Sequence, residues 1–191
     1  NYFHPKAGRQ SRDSDRLDAL TRPDRTRLLN TLRFRESILK SAAKVRPSSD
    51  YLGVHLRGTD RRKEAASPQR LIRTALATGR RKGVKEVFIC SDDAELRSLA
   101  AKKLEKAGFE VFFDPFPPAR RDVEGEQQAA ADFVNLMNAS ILVGPHASTF
   151  STEAALGGPP STSRLLKRRS TGSSRLDRIL RKRIGESSGI W

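Results

Sequence analysis

The sequence holds a single cysteine, Cys90, in 191 residues. No internal disulfide can form, so no disulfide framework defines the fold. Cys90 sits inside an apolar run and reads as a small buried hydrophobe. Tyr and Trp are scarce, at two and one. No stretch approaches the ~20 apolar residues of a membrane span. The N-terminal residues carry no apolar signal core. No internal repeats occur at solenoid periods. There is no Walker A loop and no G-x-G-x-x-G, so a P-loop NTPase and a dinucleotide fingerprint are unsupported. His4, His55 and His146 are scattered, and no His/Cys cluster has metal-ligand spacing.

Basic residues are abundant. The formal charge is +15, which at first suggests nucleic acid or an anionic membrane. Its distribution argues otherwise. Residues 1–50 carry 12 basic and 6 acidic side chains, and residues 161–191 carry 9 and 2. Residues 51–160 carry 16 and 14, an ordinary mixed-charge composition. Apolar content is 36%, on the low side for a globule, so part of the chain is expected to pack poorly.

The middle alternates between strand-like and helix-like segments. Tyr51 to Leu56 reads as a buried strand, followed by a Ser67-Pro68 cap and a helix to about Arg81. Glu86 to Ser91 is a second strand, and Asp92 or Asp93 caps a helix to about Ala107, with Leu96, Leu99, Ala100 and Leu104 inside. Glu110 to Asp114 is a third strand. Pro115 to Gln128 reads as a loop, Ala129 to Asn138 as a helix, Ser140 to Gly144 as a strand and Ser151 to Leu156 as a short helix. Upstream, Asp24 caps one helix from about Arg25 to Lys44, with Leu28, Leu32, Ile38 and Leu39 at helical spacing. This order predicts an α/β fold: a Rossmann-like parallel sheet with helices on both faces. The strands are continuous apolar runs, as doubly covered strands are. Past Pro160 the alternation is expected to fail, leaving a basic amphipathic helix around 174–184 or disorder. The expected division is a basic linker and helix over 1–48, a nucleotide-binding domain over 49–160 and a Ser/Arg-rich tail over 161–191.

Parallel strands share one carboxyl edge, where open α/β sheets bind ligands. Four polar clusters land there: His55, Arg57, Thr59 and Asp60; Ser91, Asp92 and Asp93; Asp114; and Gly144 to Thr152. An Arg at a strand end can grip a phosphate bidentately. The Ser/Thr-rich segment before a helix serves either as a phosphate cradle or as simple capping. Asp92-Asp93 reads either as a metal pair or as an N-cap beside a surface carboxylate.

In order, Gly53-Val-His-Leu-Arg-Gly-Thr-Asp60, Phe88-Ile-Cys-Ser-Asp-Asp93, the stretch Asp132 to Ser140 and Ser148-Thr-Phe-Ser151 resemble the nucleotide-binding half of the fucosyltransferase superfamily. That group includes α1,6-fucosyltransferases, rhizobial chitin-oligosaccharide fucosyltransferases and protein O-fucosyltransferases. The likeness spans about residues 50–158. It implies the nucleotide-binding domain of a GT-B glycosyltransferase. It also implies inverting transfer of fucose from GDP-fucose to a glycan or glycoprotein acceptor, with no metal or other cofactor. Under the resemblance, Arg57 holds the β-phosphate of GDP, and His55 and Asp132 match positions that contact guanine. Ser148, Thr149, Phe150, Ser151 and Thr152 match the segment that wraps the phosphates. Asp60, Asp92 and Asp93 match acidic positions that the α1,6 enzymes require. Glu64 looks like the general base, with spacing one residue short. Where the family often has a second basic residue after its key arginine, this chain has Gly58, and Arg61 is placed to compensate.

The resemblance also implies a further N-terminal GT-B domain, for which residues 1–50 are too short. Two other readings stand beside it. One is a non-catalytic nucleotide- or glycan-binding fragment of such an enzyme. The other is a basic nucleic-acid-binding protein, disfavoured because the charge avoids the middle of the chain and stacking aromatics are few. Family members work in the bacterial cytosol and in the secretory lumen, so the sequence assigns no compartment.

Overall fold

A computed structural model of the chain describes residues 22–48, 50–58, 66–115, 123–146, 148–158 and 162–166. Tyr51–Leu56 forms β1, which is buried at every position because it lies at the centre of the sheet. The other strands are β2 (Glu86–Ser91), β3 (Glu110–Phe112), β4 (Ile141–Pro145) and β5 (Thr162–Leu166). The sheet order is β3-β2-β1-β4-β5, and every pairing is parallel. The helices are α1 (Arg22–Asn30), α2 (Glu36–Val45), α3 (Pro68–Lys82), α4 (Ala94–Lys106), α5 (Val123–Asn138) and α6 (Thr149–Gly157). The α/β fold with a parallel sheet covered on both faces is as expected.

Alternate strand residues serve opposite faces. On one face Leu52, Val54, Leu56, Val87, Ile89 and Val143 pack with Leu71, Ile72 and Ala75 of α3 and Ala100, Ala101 and Leu104 of α4. On the other, Tyr51, Phe88, Cys90 and Leu142 pack with Leu136 of α5, Ala139 and Ala154 of α6. A third layer forms where α2 covers α5 through Ala42, Ala131 and Val134, with Phe34 and Ile38 beside them. Two buried polar contacts tie these layers. Asn135 Nδ2 donates to the Ala42 carbonyl at 3.0 Å, and the Tyr51 hydroxyl donates to the Asn135 carbonyl at 2.6 Å.

Several expectations need correction. The single helix predicted over Arg25 to Lys44 is two helices. Thr31 Oγ1 donates to the Leu28 carbonyl at 2.7 Å, and Arg33 Nη1 donates to the Asn30 carbonyl at 3.2 Å. These side chains satisfy carbonyls at the end of α1 and stop it. The break changes the helix phase, so Leu28, Leu32 and Leu39 are exposed rather than inward. On α4 the inward stripe takes Arg97 in place of Leu99, which is 44% exposed. The helix expected from Ala129 begins at Val123, so part of the predicted loop is its first turns. The third strand stops at Phe112, and the fourth runs from Ile141 to Pro145. Past Pro160 the alternation does not fail at once: β5 pairs with β4 along its length, so the sheet crosses the boundary expected at residue 160. The candidate helix around 174–184 lies outside the described residues. Among those described, no helix is long and apolar enough to cross a membrane.

Phe88 is fully enclosed, so Phe88→Ala is expected to cost about 3–5 kcal/mol in urea unfolding, the usual cost of emptying such a site. Leu99→Ala is expected to stay within about 1 kcal/mol of the parent. Equal losses for the two would contradict the assignment of faces.

Candidate functional site

The site begins where β1 ends. The Gly58 N–H donates to Asp92 Oδ1 at 2.6 Å, which ties the exit of β1 to the exit of β2. A Cβ on Gly58 would fall 2.1 Å from the Asp93 Cβ. No side chain fits there, so a second basic residue after Arg57 is sterically barred. Asp93 is the N-cap of α4, its Oδ1 accepting from the Leu96 N–H at 3.0 Å. The adjacent carboxylates therefore do different jobs: one caps a helix and the other holds the turn that presents Arg57.

On the α5–α6 side of the sheet, His55 is 4% exposed. Its Nδ1 shares a 2.5 Å hydrogen bond with Ser151 Oγ, and its ring packs at 5.3 Å on Phe150. The approach of α6 depends on Gly144, where a Cβ would fall 2.7 Å from Ser151 Oγ. Burial pushes the imidazole down to about 4, with Arg57 pushing the same way and Asp92 opposing. His55 is therefore neutral at pH 7.

Asp132, on α5, is 2% exposed. Gln128 Nε2, one turn earlier, donates to its Oδ1 at 3.2 Å, and the Cys90 thiol hydrogen-bonds the same carboxyl. Burial pushes the carboxyl up to about 6; the two hydrogen bonds and Arg97 oppose this, while Asp114 adds to it. Burial and the neighbouring Asp132 also push the Cys90 thiol well up, so it is a protonated donor.

These groups surround one cavity of about 330 Å³, lined by His55, Arg57, Cys90, Ser91, Asp92, Gly125, Glu126, Ala129, Asp132 and Phe150. It lies outside the carboxyl ends of β1 and β2, as expected for an open α/β sheet. Beside it, Ser148 caps α6 with extended backbone but makes no side-chain cap bond, and its buried Oγ has no hydrogen-bond partner among the described residues. Thr149 is exposed in the first turn of α6. Thr152 Oγ1 instead bonds back to the Ser148 carbonyl at 3.0 Å. The start of α6 thus combines unpaired backbone N–H groups with an unused hydroxyl, the makings of an anion site.

The structure brings His55, Arg57, Asp92, Asp132 and Phe150 to one cavity and sets Ser151 behind His55. Asp93 does not line it. Asp60 and Glu64 lie outside the described residues. Cys90, Gly125, Glu126 and Ala129 were missed as lining residues. The signal for Cys90 was its register opposite His55, which places both on one face. For the others it was the small-residue spacing Gly125, Ala129, Asp132, hidden by reading Pro115 to Gln128 as loop. Among the described residues no three His, Cys, Asp or Glu side chains converge on a metal-sized site.

The fold and cavity define a Rossmann-like α/β unit with a pocket at its carboxyl edge, largely apolar and carrying a few polar side chains. The sequence matches no family model and no curated protein. Solved structures do match it. POFUT1 in complex with GDP-fucose aligns with a TM-score of 0.56 and 16% identity over 75% of this chain and 49% of that one. POFUT1 in complex with GDP aligns at 0.55 and 16%, over 74% and 49%. NodZ α-1,6-fucosyltransferase soaked with GDP-fucose aligns at 0.54 and 21%, over 73% and 48%. The chain spans about half the length of these proteins and shares their fold.

Asp132 and His55 give opposite pH dependences. The Asp132 carboxyl is raised from 3.8 to about 6 on folding, so its stabilisation is present at low pH and lost as pH rises through 6. The His55 imidazole is lowered from 6.5 to about 4, so its contribution is present above 6.5 and lost as pH falls through 4. The two nearly cancel. Relative to the parent, Asp132→Asn should gain stability by about 3 kcal/mol as pH rises across this window, and His55→Gln should lose as much. Urea midpoints at three pH values test this, and parallel curves for all three proteins would exclude it.

Proposed function

We propose that this chain binds GDP-fucose and forms the donor-binding part of an inverting, metal-independent fucosyltransferase of GT-B type, acting on a glycan or glycoprotein. The observation that carries the reading is one cavity lined by His55, Arg57, Asp132 and Phe150, in a fold shared with proteins solved with GDP and GDP-fucose. The motif resemblance assigned those same residues to the nucleotide.

In this reading Asp132 and His55 face guanine, and Arg57 takes the β-phosphate. The start of α6, with Ser148, Thr149, Phe150, Ser151 and Thr152, wraps the diphosphate. An ionised Asp132 at pH 7 presents acceptors suited to the N–H edge of a purine. Transfer breaks the bond between the fucose anomeric carbon and the diphosphate oxygen. Negative charge grows on that oxygen, and Arg57 with the α6 amides stabilises it without a metal. The acceptor hydroxyl attacks from the opposite face and gives its proton to a base. Glu64 is the proposed base, and Asp60 is assigned to substrate binding, as the acidic position that the α1,6 enzymes require. Asp92 acts by holding the turn that carries Arg57, and Asp93 by fixing α4 beneath it. The acceptor side belongs to a companion GT-B domain.

Calorimetry with GDP, GDP-fucose and UDP tests the assignment. GDP and GDP-fucose are expected to bind at least ~10-fold more tightly than UDP, and Arg57→Ala to weaken both by ~10-fold or more, the loss of a charge-assisted phosphate contact. Equal affinity for UDP, or binding unchanged in Arg57→Ala, would overturn it. GDP binding without fucose transfer would assign the chain to donor capture alone.

A further inference from the structure

The donors on Asp132 have no place in the reading above. A carboxylate offers about four lone-pair sites, and its terminal torsion is broad and twofold. An Asp at the wall of a cavity is therefore a poor selector unless other groups fix its plane. Here two groups on different elements do so. Gln128 Nε2 reaches Asp132 Oδ1 at 3.2 Å from one turn earlier on α5. Cys90, on β2 and 6% exposed, places its thiol on the same carboxyl while lining the cavity. Its strand partner in register is His55, so Cys90 necessarily faces α5.

We infer that Cys90 and Gln128 are specificity-setting positioning residues: together they lock the Asp132 carboxylate so that its remaining lone pairs face the cavity and accept two adjacent N–H donors from a purine edge. The inference rests on the donor reading proposed above. The ligand class it selects is a 2-amino-6-oxopurine diphosphate. An inosine diphosphate, with one N–H fewer on that edge, satisfies half of the locked acceptor. A loosely held Asp132 turns to suit either base and discriminates poorly. Among the described residues, the other charged or titratable groups around Asp132 are Arg97 of α4, Asp114 after β3, Glu126 on α5, His55 on β1, and Arg57 and Asp92 across the cavity. None of them is altered in the variants below.

The experiment measures GDP and inosine diphosphate binding by calorimetry between pH 5 and 8. It uses the full chain and its Cys90→Ala, Cys90→Ser and Gln128→Met variants. The parent is expected to prefer GDP by ~10-fold or more, the value of one charge-assisted hydrogen bond. Cys90→Ala and Gln128→Met should lose at least half of that preference. Both should also move the acid limb of GDP binding to higher pH, because each removes a donor that favours the ionised carboxyl. Cys90→Ser keeps a donor and should restore both properties. Gln128 is half-buried on a helix, so its variant reads out selectivity even if the Cys90 variants unfold. A GDP preference and acid limb unchanged in Gln128→Met and Cys90→Ala would overturn the inference while leaving the donor reading intact. A parent that binds UDP as well as GDP would remove the donor reading, and this inference with it.

Discussion

The approach of α6 to the central strand is the constraint on which the site depends. Ser151 is fully enclosed and reaches His55 Nδ1 at 2.5 Å only because Gly144 has no side chain to keep the helix away. That one contact sets three things. It orients the imidazole, whose other nitrogen is left for a ligand or neighbour. It places Phe150 against the His55 ring, and Phe150 in turn meets Phe133 of α5 edge-on at 5.2 Å. It also fixes where the α6 N-terminus lies, together with the unused hydroxyl of Ser148. The helix is short, so its position comes from this anchor more than from its own hydrogen bonds.

A second anchor works from the opposite side. Asp92 holds the Gly58 amide, and Asp93 starts α4. The backbone that carries Arg57 is thereby held in place. The close packing of Gly58 on Asp93 makes this turn intolerant of any larger residue. Its rigidity suits a group that must hold charge in one place, as the proposed donor reading asks of Arg57.

Much of this was legible in the sequence, and the failures have specific causes. The sheet was readable because β1, β2 and β4 are unbroken apolar runs, a pattern that parallel strands covered on both faces require. His55 and Arg57 were readable together because they end one strand of such a sheet, whereas Asp132, on α5, came in only through the motif resemblance. The pairing of Cys90 with Asp132 was not, because a lone cysteine in an apolar run carries no sign of its partner. The start of α5 was obscured by Gly125 and the prolines before it, which look like loop chemistry yet precede a helix whose small residues leave room for the cavity. β5 was hidden by its composition. Thr162 to Leu166 mixes polar and apolar residues in a basic stretch, and only its place beside β4 makes it a strand. The split of α1 from α2 hung on Thr31 and Arg33, whose side chains take carbonyls that a continuous helix would use.

The charge of the chain and the charge of the cavity call for separate treatment. The formal +15 resides mainly in residues 1–50 and 161–191, and exposed charges farther away than about 8 Å are largely screened at physiological salt. Such an excess raises the attraction for any polyanion and distinguishes none. The cavity is different in kind. It is lined by one arginine, Arg57, and by the carboxyl groups of Asp92, Glu126 and Asp132 among largely apolar surface. A nucleic acid brings its charge as a continuous row of phosphates. A nucleoside diphosphate concentrates its charge at one end and carries N–H donors at the other. Under the proposed donor reading, that polarity suits a pocket that holds both Arg57 and the Asp132 carboxyl.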